Sequence, residues 1–176
     1  AIFTDNEEWA ENIRSLAVHG KNRDDKYDNV RLGMNSRLDT LQAAILRVKL
    51  RAFEEYELRE INRVACMYEE GLKNTGIKVP VVCAGYYSSW AQYTVQLPRE
   101  ICREELQYYL RESNIPTAVY YKKPMHCQGA FRKMQKKYEG LLATNEMCRS
   151  VLSLPIHPYM DKSDVEFVCK ELNKLI

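Results

Sequence analysis

The stretch LDTLQAAILRVKLRAF, residues 38–53, constrains this chain more than any other. At helical spacing, Leu38, Leu41, Ile45, Val48 and Ala52 form one apolar stripe. Ala43, Leu46, Leu50 and Phe53 form a second, more than a quarter turn away. The clearly polar arc is left to Thr40, Arg47, Arg51 and Glu54. An apolar arc that wide exceeds what a single facing layer covers, so this helix should be buried on two sides, one of them against another subunit. A polar segment opened by glycine, GMNSR (33–37), stands directly before it.

Upstream, AIFT (1–4) reads as a short strand, and Asp5 with Glu8 as a capping box for a helix over about 6–18. His19-Gly20 ends that helix, with glycine suited to a left-handed terminus. The charged, aperiodic stretch 21–33 is a loop. Ser36 and Asp39 supply an S-x-x-D cap for the apolar helix. A second helix over 58–72 presents Leu58, Ile61, Ala65, Tyr68 and Leu72 on one face.

Alternation of Ala91, Tyr93, Val95 and Leu97 with polar residues predicts a half-buried strand. A helix with Cys102, Leu106, Tyr109 and Leu110 on one face follows, then a strand over 117–121. The loop KKPMHCQGAF (122–131) enters a short basic helix; a helix near 145–152 and a short SLPIHP strand come next. The last helix, capped by Asp161 or Ser163, turns Val165, Val168, Leu172 and Leu175 inward. The chain thus divides into an incomplete edge of a larger domain (1–35), long interface helices (36–75) and a small α+β domain (76–176), a small sheet covered by helices.

Bulk properties narrow the function classes. A chain of 176 residues buries roughly 70% of its unfolded surface, so it needs no disulfide or metal staple. A net charge of +2 is too small to point to nucleic acid, and the basic run RKMQKK (132–137) lacks interleaved aromatics for base stacking. Six cysteines stand singly without a C-x-x-C, which reads as reduced thiols in a cytoplasmic protein. No apolar run approaches the ~18 residues that span a bilayer. The start carries neither an initiator methionine nor a signal-peptide pattern, and a fragment is the expectation.

Three histidines far apart argue against a metal site, and His126-Cys127 as sequence neighbours seldom turn toward each other as a catalytic pair must. Asn35 and Arg37 carry more. They sit at the mouth of a helix, where free N–H groups and the dipole favour anions, and offer an amide and a guanidinium fork. An anion site and ordinary capping with surface charge both remain open on these grounds.

Taken together, HG at 19–20, KY at 26–27, GMNSRLDTLQAAILRVKL, IPTAVYYKKPMHCQGAF and LSLPIHP resemble the DegT/DnrJ/EryC1/StrS family. The resemblance runs over the whole chain, and its specific part is the G-x-N-x-R-L-D-x-x-Q-A-A block. It implies the C-terminal portion of an aspartate-aminotransferase-like (type I) fold, in an α/β enzyme that uses pyridoxal phosphate (PLP) to aminate a keto nucleotide-sugar. It further implies a homodimer with sites between subunits, and an amino donor such as glutamate. Asn35 would hold the cofactor phosphate of the neighbouring subunit, with Arg37 near the nucleotide-sugar phosphates.

Tyr121 and His126 would line the substrate entrance in a loop resembling Y-Y-P-x-P-L-H, where Lys122 replaces the first proline. The Schiff-base lysine precedes a G-D-G-G turn in the family and would lie upstream of Ala1. No lysine here, Lys21 and Lys26 included, has that context. The chain alone would then neither transaminate nor retain PLP. Alternatives are a non-catalytic dimerisation module, or a fragment of a PLP-dependent sugar dehydratase in which histidine replaces that lysine.

Overall fold

The computed structural model describes every residue except Lys26, Arg132 and 134–139. The basic run 132–137 therefore lies, Lys133 apart, outside the described residues. The chain separates into two units, Ala1–Arg51 and Ala52–Ile176, and each is described by itself.

In the first unit, helix α1 spans Glu7–Leu16. Asn6 caps it, its Oδ1 accepting from the Trp9 N–H at 2.9 Å, where the sequence pointed to Asp5. The cap falls one residue later because Asn6 is the residue with extended backbone angles. Residues 1–4 are exposed and pair with no strand among the described residues, so the expected AIFT strand is not formed. Without a neighbouring edge to bond to, a four-residue strand has nothing to sustain it.

The chain leaves α1 through His19 (φ 63°) and Gly20 (φ 78°), the left-handed turn read from the sequence. It then returns along α1's end: Met34 N donates to Leu16 O (2.8 Å), His19 N to Met34 O (2.9 Å) and Ser36 N to Ala17 O (2.9 Å). The crossing is so close that a Cβ on Gly20 would overlap the Arg31 carbonyl, and one on Gly33 the Gly20 amide nitrogen. Only glycine fits at both positions.

Helix α2, Thr40–Ala52, starts later than the sequence suggests. Asp39 is the cap, its Oδ1 accepting from Gln42 N at 2.9 Å, and Ser36 is held extended by its bond to Ala17. None of α2's residues is buried. Leu41, Ile45 and Val48 of one stripe and Leu46 and Leu50 of the other are more than half exposed, so the two-sided cover expected from the sequence is not supplied among the described residues.

In the second unit a π-helical turn, Phe53–Glu57, leads into α3, Leu58–Gly71. Strand β1, Tyr93–Gln96, pairs antiparallel with β2, Val151–Leu154, in a register that sets Tyr93 opposite Leu154. Single bridges, Lys78 to Gln96 and Ala118 to Ser153, flank the pair. The strand expected over 117–121 is thus one bridge at Ala118. Pro116 brings no N–H to the ladder and Tyr121 is exposed, leaving little to extend the pairing. Strand β2 begins two residues before SLPIHP, and all four of its residues are buried.

Helices α4 (Arg103–Glu112), α5 (Leu142–Ser150) and α6 (Lys162–Asn173) complete the unit. Val64, Tyr68, Leu106, Leu110, Leu152 and Leu172 make a core with almost no exposure. Tyr68 stacks on Tyr93 at 5.0 Å and donates its hydroxyl to Pro155 O at 2.8 Å. Burial raises both phenols above the usual range. Cys169 packs over Gly71, where a Cβ would come within 2.6 Å of its Sγ, and burial pushes the Cys169 thiol up to about 11.

Two inward positions differ from the sequence reading. Cys102 is the exposed cap of α4, and Arg103 takes the buried place because its Nη1 donates to the Cys148 carbonyl at 2.6 Å. Leu175 lies beyond the end of α6 and is exposed. Asp161, with Asp164, forms the capping box of α6.

Candidate functional site

Asn35 sits opposite Val18 in a single antiparallel bridge, on the extended segment that the two glycines allow to cross α1's end. In extended backbone the residues i and i+2 face the same side, so Asn35 and Arg37 are neighbours. Arg37 Nε donates to Asn35 Oδ1 at 2.9 Å. Both residues are exposed.

That hydrogen bond orients the amide. A guanidinium only donates, so the oxygen must face Arg37, and the two N–H groups of Asn35 Nδ2 point away with their donors available. The terminal guanidinium nitrogens of Arg37 make no hydrogen bond among the described residues. A neutral amide donor beside a guanidinium edge suits a phosphate oxygen, a common partner of that fork.

The pair does not sit on a helix terminus, as the sequence suggested. Helix α2 begins at Thr40, and the Asp39 carboxylate already occupies one of its free N–H groups. Side chains, rather than the helix dipole, are what this segment offers an anion.

Tyr121 and His126 belong to the second unit. Tyr121 is exposed, its ring edge-on to Tyr120 at 6.5 Å between centroids. His126 is half-buried in a 3-10 turn, Met125–Cys127. The turn is closed by Cys127 N to Pro124 O at 2.9 Å, and Gln128 Nε2 donates to Lys123 O at 3.1 Å. Pro124 therefore still shapes the loop, while Lys122 leaves its entrance less constrained. Each unit keeps its own pair, and sequence reasoning missed the glycine crossing that fixes the first one. Its available signal was Gly20 and Gly33 together, each at a break in helical periodicity.

Comparison with known proteins gives this geometry its setting. The model of the DegT/DnrJ/EryC1/StrS aminotransferase family matches residues 1–173. The UDP-2-acetamido-2-deoxy-3-oxo-D-glucuronate aminotransferase of Pseudomonas aeruginosa is 41% identical over 98% of this chain and 45% of its own length. The dTDP-3-amino-3,6-dideoxy-alpha-D-galactopyranose transaminase of Aneurinibacillus thermoaerophilus is 37% identical over 99% of this chain and 46% of its own. The crystal structure of a DegT DnrJ EryC1 StrS aminotransferase from Brucella abortus superposes with a TM-score of 0.83 at 38% identity, covering 98% of this chain and 44% of that one.

The fold is that of a type I, PLP-class aminotransferase, represented here by a small α/β domain whose short antiparallel sheet is covered by helices. The chain belongs to the DegT/DnrJ/EryC1/StrS aminotransferase family. It spans less than half the length of the curated relatives it matches. Among the described residues no helix is long and apolar enough to cross a membrane.

Proposed function

We propose that this chain is the C-terminal part of a PLP-dependent aminotransferase that converts a keto nucleotide-sugar to an amino sugar, as a homodimer with glutamate as the amino donor. Support comes from family membership and from the names of its relatives, a UDP-sugar aminotransferase and a dTDP-sugar transaminase. The observation that carries the reading is the Arg37 to Asn35 hydrogen bond, which leaves the amide donors of Asn35 turned outward beside a guanidinium.

That donor set fits a cofactor phosphate. Asn35 Nδ2 would donate to a phosphate oxygen of the cofactor in the neighbouring subunit, and Arg37 would hold the amide in that orientation while lending its free nitrogens to the substrate's phosphates. Tyr121 and His126 would line the way in. PLP, when bound, supplies the electron sink that lets an amino group pass between donor and sugar. The lysine that carries it lies upstream of Ala1 in this reading, so this chain by itself neither retains the cofactor nor transaminates.

The coding sequence preceding Ala1 tests the proposal, followed by assay of the encoded protein with glutamate and a UDP-linked 3-keto sugar. A lysine shortly before a G-D-G-G turn, with 2-oxoglutarate formed, is the expected result. A histidine there would replace amination by dehydration, and an initiation codon at Ala1 would overturn the enzyme reading.

A further inference from the structure

In the second unit, helix α3 and the loop over 80–90 line a cavity of about 410 Å³ that holds none of the residues assigned above. Four aromatic side chains, Tyr86, Tyr87, Trp90 and Tyr93, line it together with a single charged residue, Glu69, and no lysine, arginine or histidine among the described residues does so. Glu69 makes no hydrogen bond or ion pair among the described residues; Lys73, four positions on, pairs with Glu70 at 3.7 Å instead. Burial first, and then the Glu69 carboxylate, raises the Tyr93 phenol, which agrees with Glu69 standing close to that ring.

One wall is held in place at the expense of backbone strain. Trp90 takes φ 46°, a left-handed angle that a bulky side chain adopts only under constraint. Trp90 N donates to Ser88 Oγ at 3.1 Å, and Trp90 Nε1 donates to Asn62 Oδ1 at 2.9 Å. Asn62 Nδ2 in turn donates to Ser88 O at 3.0 Å and to Leu58 O at 2.7 Å, so this amide is fully engaged in fixing the loop. The indole is thereby set beside Tyr93, 5.3 Å between centroids. Strained residues persist where their surroundings over-determine them, and they gather at ligand sites.

We propose that this cavity binds a small quaternary ammonium ion, with the aromatic rings as its contact surface and Glu69 as its counter-charge. Ring faces carry partial negative charge, and an unpaired carboxylate beside them adds to the same field. A quaternary ammonium brings no N–H groups to satisfy and spreads its charge over methyl groups, which matches a wall of rings with one carboxylate. The volume lies within the ~300–1,000 Å³ of small-ligand pockets. This site is independent of Asn35 and Arg37 and of the reaction proposed above.

Calorimetric titration of the full-length, cofactor-loaded protein with choline, and with its neutral carbon isostere 3,3-dimethylbutan-1-ol, tests this. Choline should bind on the order of tenfold more tightly than the isostere. Glu69→Gln, and separately Tyr86→Leu/Tyr87→Leu, should each weaken choline binding by about threefold or more. All three side chains are exposed, and thermal unfolding checks that the variants keep their fold. Glu70→Gln, whose carboxylate does not line the cavity, should leave choline binding unchanged. No binding of choline, equal binding of the isostere, or undiminished binding in both variants would overturn the site. An equal loss in Glu70→Gln would also overturn it, by assigning the attraction to surface charge alone. Glu69→Gln carries the test by itself should the double variant not fold.

Discussion

Ala52–Ile176 and Ala1–Arg51 solve the folding problem in different ways. Every buried apolar side chain among the described residues lies in the second unit, where α3, α4 and α6 share one core with a two-stranded sheet. In the first unit Gly20 is the only buried residue among those described. Its order comes from backbone hydrogen bonds across a glycine crossing, and its strongest apolar feature, α2, is bare. The contrast teaches that the second unit carries its own core, whereas the first is shaped to be finished by contact with something else. Asn35 and Arg37, to which we assign the phosphate role proposed above, are exposed on that unit.

The largest expected effect that would sharpen this contrast is in the core. Leu152→Ala, at a side chain with no exposure, should cost about 2–5 kcal/mol in urea unfolding. Ile45→Ala in α2 of the same chain should stay within about 0.5 kcal/mol, since that side chain is 62% exposed. Equal losses would break the comparison.

Next comes the crossing. Gly20→Ala forces a Cβ toward the Arg31 carbonyl at a positive φ, and should cost roughly 1–3 kcal/mol locally. Hydrogen exchange should speed up at the His19, Met34 and Ser36 amides while β1 and β2 amides are unchanged. Faster exchange throughout both units would contradict the separation.

A smaller effect concerns pH. The Lys174 ammonium, and then the Tyr109 hydroxyl, hold the nearly buried Glu171 carboxyl below its usual range. A depressed folded value means that stabilisation is complete above the unfolded value, about 4.3, and is lost as pH falls through the folded one. Glu171→Gln should therefore flatten acid unfolding of the second unit in that window, and an unaltered acid limb would show that the contact contributes nothing.

Much of the second unit was legible in the sequence because its periodicities are clean. Ile61, Ala65, Tyr68 and Leu72 recur at helical spacing, and Tyr93, Val95 and Leu97 alternate, and all are buried. Where the pattern has no period, the reading slipped. VLSL is buried at every position, so its start at Val151 carried no alternation to find. Caps slipped by one to three residues, from Asp5 to Asn6 and from Ser36 to Asp39, because backbone angles choose among adjacent polar side chains.

Asn35 and Arg37 were visible as a pair of donors, but their mutual hydrogen bond depends on extended backbone where a helix mouth was expected. The crossing of Gly20 under Gly33 joins positions thirteen residues apart, and no local pattern reports such a contact.

The most direct measurement is a PLP titration, followed by absorbance, of the full-length protein and its Asn35→Ala variant. A neutral amide hydrogen bond contributes about 0.5–1.5 kcal/mol, so the variant should bind the cofactor from about twofold to about tenfold more weakly while keeping its fold. Cofactor affinity that does not change would contradict the assignment of Asn35 to the phosphate, and with it the account of what the first unit is for.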